Sequence, residues 1–296
     1  MLIKAIQTAL KKTTNHQELL EVMDYAVLPA GKLFRPRLVE ALAKDIGKGL
    51  DENLTHLGAA IELHHAYTLV HDDLPSMDND LIRRGKPSTH AQYGEWKAIL
   101  AGDALLITSF EELNKIEHKN FKRLLKLMTW ATGSRGLIEG QFRDLKANGE
   151  LSLVDVVRVH ELKTARLIQL ATLGTYFLTQ ETNLRGTIEF FRLGREIGVS
   201  FQLLDDLSEL AEENVSDHEK KINPFIQSLP IALNELKASH KRLVAIIKKH
   251  KLENTEKMLD AYFLNNKENL LTNFKYLEEN LVSDLSELKK WITSFA

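Results

Sequence analysis

Leu193-Gly194-Arg195-Glu196-Ile197-Gly198-Val199-Ser200-Phe201-Gln202-Leu203-Leu204-Asp205-Asp206-Leu207-Ser208-Glu209 is the stretch whose reading decides the fold. Leu193, Ile197, Phe201 and Leu204 recur at helical spacing, as do Leu162, Ala165 and Ile168, whereas strict two-residue alternation is rare. Pro29, Pro36, Pro75, Pro87, Pro224 and Pro230 are the only prolines, so none stops a helix between Ser88 and Asn223. The chain is therefore expected to be all-α. No Gly/Ser-rich linker divides it, and a single domain over residues 1–296 is expected. Beyond about Lys237, charged turns alternate with apolar residues such as Leu285, Leu288 and Ile292, the pattern of solvated helix faces.

Composition narrows the function. The 296 residues are 44% hydrophobic and 27% charged, enough for a sizeable core. A formal net charge of -2 argues against a nucleic-acid surface, which carries basic clusters. There is no cysteine, so disulfides, thiolate metal sites and cysteine nucleophiles are excluded. The start, Met1-Leu2-Ile3-Lys4-Ala5-Ile6, runs into a charged amphipathic stretch without the apolar core of a secretory signal, so no export is implied. The best membrane-span candidate, Ala98 to Phe110, is far short of ~20 apolar residues and is broken by Asp103. A cytoplasmic protein without a membrane span is expected.

The chemistry sits in two acidic clusters. In the second, Gln202, Asp205, Asp206 and Glu209 share one helix face, while Phe201 and Leu204 turn elsewhere. In the first, His71-Asp72-Asp73-Leu74-Pro75-Ser76-Met77-Asp78, the helix leading in places His65, Thr68 and Asp72 on one face. Asp78 falls off that face in an ideal helix, and Pro75 marks a helix that ends, so the chain must bend for both carboxylates to reach one ion. Adjacent carboxylates repel unless a cation neutralises them, and Mg²⁺ shared with a phosphate ligand is a common occupant. A capping and turn cluster is the alternative for the first cluster taken alone. Basic groups are equally localised: Gly31-Lys32-Leu33-Phe34-Arg35-Pro36, Arg83-Arg84-Gly85-Lys86-Pro87 and Lys163-Thr164. Arginine donates two hydrogen bonds at once to phosphate, and lysine supplies a point charge. Together with acidic metal sites they suit a diphosphate.

Seven motifs in order carry a family resemblance: Gly31-Lys32-x-x-Arg35-Pro36, His65 to Asp78, Arg83-Arg84-Gly85, Ala98 to Leu106, Gly140-Gln141-x-x-Asp144, Lys163-Thr164 and Phe201-Gln202-x-x-Asp205-Asp206. They resemble those of the trans-polyprenyl diphosphate synthases, most nearly the bacterial farnesyl diphosphate synthases (geranyltranstransferases), over roughly Leu28 to Asp206. The resemblance implies an isoprenoid-synthase helical bundle around a central cavity, a homodimer, and three Mg²⁺ ions that clamp an allylic diphosphate. By that similarity Asp72, Asp73, Asp78, Asp205, Asp206 and Glu209 form the metal sites. Arg83, Lys163 and Gln202 touch the allylic substrate, and Thr164 with Gln202 stabilises its carbocation. Lys32, Arg35, His65 and Arg84 hold the diphosphate of isopentenyl diphosphate. Tyr67, five residues before Asp72, is the expected cavity floor and implies a C15 product with some C10.

Three positions depart from the family pattern. Leu33 stands where an arginine is usual, Glu209 where an aspartate is usual, and the segment from Glu209 to Pro224 is shorter, with Lys220 or Lys221 the candidate for a late lysine. Glutamate is longer than aspartate by ~1.5 Å, and ~1 Å of misplacement can cost ~100-fold in rate. A catalytically weak or non-catalytic relative is thus the alternative reading. A terpene cyclase leaves Lys32, Arg35 and His65 without use. A phosphohydrolase built on His71 and Asp72, with His64, His65 and His160, leaves the Gln202-to-Glu209 stripe unexplained; His71 reads better as a supporting or core residue than as a metal ligand.

Overall fold

The computed structural model describes residues 2–29, 31–47, 49–146, 152–215, 220, 222–281 and 283–294. It is all-α, as the periodicity requires; among the described residues the only strands are Ile82–Arg83 and Lys86–Pro87, paired antiparallel. The chain divides into two compact units, residues 1–128 with 170–182, and residues 129–169 with 183–296.

The first unit contains α1 (Leu2–Thr13), α2 (Gln17–Val27), α3 (Phe34–Asp45), α4 (Glu52–Asp72), α5 (Thr89–Tyr93) and α6 (Glu95–Asn114). Helix α4 is its axis, packed by α1, α3 and α6 and buried on nearly every side through Leu54, Leu57, Ile61, Leu63 and Val70. Asp51 starts it by accepting the Leu54 N–H at 2.8 Å. Ile6, Leu10, Met23, Leu63, Val70 and Leu105 form the core beside its carboxyl-terminal half. The contact with α6 is closest at Gly102, where a Cβ would fall 2.2 Å from the His71 ring. Between α4 and α5 the two strands are joined by Arg84-Gly85, with φ of 55° and 74°. Positive φ at both central residues suits the right-handed twist of a two-residue hairpin.

In the second unit are α8 (Leu137–Lys146), α9 (Leu153–His160), a π-helical turn (Glu161–Ala165), α11 (Leu184–Glu209), α12 (Pro224–His250), α13 (Glu253–Thr272), α14 (Phe274–Asn280) and α15 (Ser286–Ser294); α7 (Phe121–Thr132) and α10 (Arg166–Thr179) complete the chain. Asn183 starts α11 by accepting the Gly186 N–H at 2.8 Å. Leu193, Ile197, Leu203, Leu204 and Leu207 of α11 are fully buried. Glu196, also buried, accepts Arg195, Ser239 and Arg242 at 2.8, 3.0 and 2.9 Å and ties α11 to α12. Helix α12 is kinked at Ser228, two residues before Pro230, which has no N–H for the helical ladder. Leu285, Leu288 and Ile292 are buried, so the charged carboxyl-terminal segment does present solvated faces. No helix among the described residues is long and apolar enough to cross a membrane.

Candidate active site

Helix α4 delivers the first acidic cluster. It ends at Asp72, and the chain then folds back: Leu74 N–H donates to the His71 carbonyl (3.2 Å), Met77 N–H to Leu74 (2.8 Å) and Asp78 N–H to Asp72 (2.9 Å). The bend that Pro75 and the offset of Asp78 demanded is thus a closed turn that returns Asp78 to the end of α4. Asp72 is half-buried and Asp78 exposed, whereas Asp73 is buried and held by Arg83, whose Nε donates to Asp73 Oδ1 at 2.9 Å and whose Nη2 donates to Asp80 Oδ2 at 2.7 Å. Burial pushes the Asp73 carboxyl up against the pull of Arg83. Arg83, expected at the allylic substrate, is therefore also the brace of this turn. His71 Nε2 donates to the Ile99 carbonyl at 3.1 Å, the supporting role expected of it.

Tyr67 packs edge-on between His71 and His64, with ring centres 5.3 and 4.9 Å away. His64 donates from Nδ1 to Ser109 Oγ at 3.2 Å, because the Ser109 hydroxyl is already given to the Leu106 carbonyl. Burial lowers the His64 imidazole from 6.5 to about 4. The unfolded chain takes up this proton below pH 6.5 while the native one stays neutral to about 4, so stability is complete above pH 6.5 and falls as pH drops through that window. His64 alone should remove about 2 kcal/mol between pH 7 and pH 5. Denaturant unfolding at the two pH values checks this: His64→Leu should shrink the drop by that amount, and an unchanged drop contradicts it.

The cationic residues gather around a carboxylate that sequence reasoning missed. Glu62, 4% exposed in an otherwise apolar stretch of α4, lies in the field of Arg35 and Arg84; burial pushes its carboxyl up and the two arginines pull it down. The guanidinium of Arg84 lies over Gly31, where a Cβ would meet it at 3.0 Å, so a larger residue there would press on the arginine. Arg35 Nε is buried with no hydrogen-bond partner among the described residues. Burial, then Arg35 and Arg84, hold half-buried His65 well below the usual imidazole range, so it is neutral at pH 7. One buried carboxylate does not balance two guanidinium groups, and the excess suits an anion. Lys32 is exposed, and Leu33 takes a left-handed conformation (φ 50°) ahead of α3 while packing against the core.

In the second unit, Gln202, Asp205, Asp206 and Glu209 occupy the last turns of α11, as their spacing predicted. Thr164 Oγ1 donates to Gln202 Oε1 at 2.9 Å, and Gln202 Nε2 donates to Asp206 Oδ1 at 3.3 Å. Lys163 Nζ donates to Asp144 Oδ2 at 2.6 Å, a tether from the Gly140-Gln141-x-x-Asp144 motif to which sequence gave no role. His160, which burial lowers to about 4, places Nε2 3.3 Å from Asp206 Oδ2. Tyr262 stacks on Phe201 at 4.5 Å; burial, and then the charge of Asp205, raise its phenol. Asn223 joins the ends of two helices, donating to the Asp206 carbonyl at 2.8 Å and accepting the Phe225 N–H at 3.1 Å. Lys220 is described and exposed, whereas Lys221 lies outside the described residues.

Lys163 and Thr164 stand on the π turn, where an ordinary helix was expected. Two glycines account for it: a Cβ on Gly140 would lie 2.5 Å from the Lys163 nitrogen, and one on Gly198 2.4 Å from the Ala165 Cβ. The turn is pressed by backbone from α8 and α11 at once, and the widened helix is the result. Such π-bulges frequently mark functional sites.

Among the described residues no three acidic or histidine side chains close round one point as a metal cage. Mg²⁺ needs none, since it keeps waters and binds through one or two carboxylates plus substrate phosphate. The hard oxygens of Asp72 and Asp78, drawn together by the turn, suit such an ion; so, separately in the second unit, does the carboxylate of Asp205 at the end of α11.

Acid-bearing helix ends with separate cationic sets define an all-helical protein of the isoprenoid-synthase class, and comparison with known proteins agrees. The polyprenyl synthetase family model matches residues 16–263. The farnesyl diphosphate synthase of Geobacillus stearothermophilus is 36% identical over 228 residues, covering 72% of this chain and 75% of its own. That of Haemophilus influenzae is 32% identical, covering 86% and 90%. A geranyltransferase from Helicobacter pylori, solved with magnesium and isoprenyl diphosphate, superposes with a TM-score of 0.73 at 26% identity, over 88% of this chain and 95% of that one. The chain belongs to the polyprenyl synthetase family.

Proposed function

We propose that the protein is a Mg²⁺-dependent trans-prenyltransferase that condenses isopentenyl diphosphate with dimethylallyl or geranyl diphosphate to a C15 prenyl diphosphate, releasing some C10. The observation that carries this is the pairing, within one unit, of the Asp72–Asp78 turn with the Arg35, Arg84 and His65 anion pocket. A cyclase or a hydrolase has one diphosphate to hold and no use for the second set. The family model spans segments of both units, which supports treating residues 1–296 as one functional domain.

Arg35, Arg84 and Lys32 hold the diphosphate of isopentenyl diphosphate, with neutral His65 as a hydrogen-bonding partner. Asp72 and Asp78, with Asp73 in support, and Asp205, with Asp206 and Glu209 nearby, would hold three Mg²⁺ ions, which would supply positive charge against the departing diphosphate. Arg83 and Lys163 add fixed cations, Lys163 kept in place by Asp144. The allylic C–O bond breaks and its electron pair leaves with the diphosphate. Thr164 and Gln202 turn oxygen lone pairs to the resulting cation. The double bond of isopentenyl diphosphate then forms the new C–C bond, and the released diphosphate takes the proton. Electrostatic stabilisation carries much of a rate gain of at least ~8 kcal/mol.

Tyr67 is the floor that limits the growing chain. Tyr67→Ser is expected to shift the product beyond C15; extraction and separation by chain length checks it, and an unchanged distribution rules out that role. The protein works in the cytoplasm as a homodimer. Support for the dimer is the outer face of α6, where Trp96, Leu100 and Ile107 are 63%, 52% and 59% exposed and want a cover.

A further inference from the structure

Lys86 lies in a basic run whose charges suit a diphosphate, yet its ammonium is engaged inside the protein. Nζ donates to the carbonyl oxygens of Tyr25 at 2.6 Å and Leu28 at 3.0 Å, and stands 3.8 Å from the centre of the Tyr25 ring. An ammonium has three donors, and two carbonyls with an aromatic face satisfy it without a phosphate. Both carbonyls stand at the end of α2, where a helix leaves acceptors unpaired and its dipole is negative, a place that suits lysine. Tyr25 returns the tie, its hydroxyl donating to the Pro87 carbonyl at 2.7 Å.

What these bonds hold is the hairpin. Lys86 pairs across it with Arg83, and Arg84 stands in the turn between them. The first strand has its own anchor, Arg83 on Asp73 and Asp80. The second has Lys86 and Pro87 on α2. Arg84 is carried between the two anchors, and its guanidinium lies over Gly31, three residues beyond the Leu28 whose carbonyl Lys86 holds. One ammonium thus joins both sides of the approach of Arg84 to Gly31.

We propose that Lys86 is a positioning residue for prenyl transfer: through the Tyr25 and Leu28 carbonyls it fixes the second strand, and with it the place of Arg84 in the pocket for isopentenyl diphosphate. The inference rests on the prenyltransferase reading. Because Arg83 keeps its own anchor, loss of the tie weakens the hold on one substrate and spares the chemical step. An interaction made equally with bound substrate and transition state shows in KM and leaves kcat unchanged.

Wild type, Lys86→Met and Tyr25→Phe are compared by thermal melting and by steady-state kinetics with geranyl and isopentenyl diphosphates and Mg²⁺, each substrate varied in turn. Lys86→Met removes the ammonium and keeps an apolar stem; Tyr25→Phe leaves every charge in place and removes only the bond to Pro87. Expected is a KM for isopentenyl diphosphate raised about tenfold in Lys86→Met and about threefold in Tyr25→Phe, with kcat and the KM for geranyl diphosphate within about twofold of wild type. A wild-type KM for isopentenyl diphosphate in folded Lys86→Met overturns the proposal. So does a raised KM there with a wild-type value in Tyr25→Phe, because Lys86 then acts on the diphosphate by its charge alone. A fall in kcat without a change in that KM overturns it as well. Should Lys86→Met fail to fold, Tyr25→Phe decides, and a wild-type KM in it overturns the proposal. Absence of condensation by wild type itself would instead overturn the prenyltransferase reading, and this inference with it.

Discussion

Asp72→Ala should cut turnover by about 10²–10³-fold, the effect of removing one electrostatic stabiliser of a developing charge, and should raise the Mg²⁺ concentration needed for half-maximal rate. Its effect on stability should be small, because Asp72 is half-buried and its attraction to Arg83 is set against the like charges of its acidic neighbours. Asp205→Ala should behave alike, since the proposed mechanism gives its carboxylate the same Mg²⁺-binding role. Rate against Mg²⁺ concentration, with thermal melting of each variant, checks this. A variant with wild-type rate and Mg²⁺ requirement would remove its aspartate from the mechanism, and one that melts well below wild type would make it a structural group.

Gly140→Ala should reduce kcat about 100-fold without removing a single polar group. Its new Cβ would sit 2.5 Å from the Lys163 nitrogen and 2.8 Å from the Leu162 carbonyl carbon, atoms that cannot rotate away. The π turn must shift, carrying Lys163 off Asp144 and Thr164 off Gln202, and ~1 Å of misplacement is worth ~10² in rate. KM for isopentenyl diphosphate should hold, because Arg35 and His65 stand in the other unit. Steady-state kinetics against both substrates separates the two parameters. A kcat within about threefold of wild type would show that the close approach of α8 does not set the Lys163 and Thr164 positions.

How far these features could be read beforehand depends on whether they are local. The acidic stripe of α11 was legible because its spacing is the period of the helix itself. The turn that returns Asp78 was legible in outline, since Pro75 and the six-residue offset left no straight path. The π turn was not, because Leu162, Ala165 and Ile168 fit an ordinary helix equally well and the widening comes from Gly140 and Gly198, remote in sequence. Glu62 could have been noticed as a lone charge in the apolar run Ala59-Ala60-Ile61-Glu62-Leu63, but only the fold brings Arg35 and Arg84 to it. The engagement of Arg83 with Asp73 depends on the hairpin, whose Arg84-Gly85 turn is signalled by a single glycine. Asp144 stood in a quoted motif, but its tether to Lys163 spans 19 residues and exists only once α8 meets the π turn.

The departure at Glu209 belongs to the same account. It is the last residue of α11, half-buried, and the helix end it occupies is closed by Asn223 through the Asp206 carbonyl. Asn223 thus caps the start of α12 while tying it to the last turns of α11.

The central claim, that two diphosphates are held at once and joined, is tested most directly by product analysis. Purified protein is incubated with Mg²⁺, isopentenyl diphosphate and geranyl diphosphate, and with each diphosphate alone, and the extracts are resolved by chain length. A C15 diphosphate formed only when both substrates are present is the predicted result. Hydrocarbon or free phosphate released from geranyl diphosphate alone, with no chain-extended product from the pair, would contradict it.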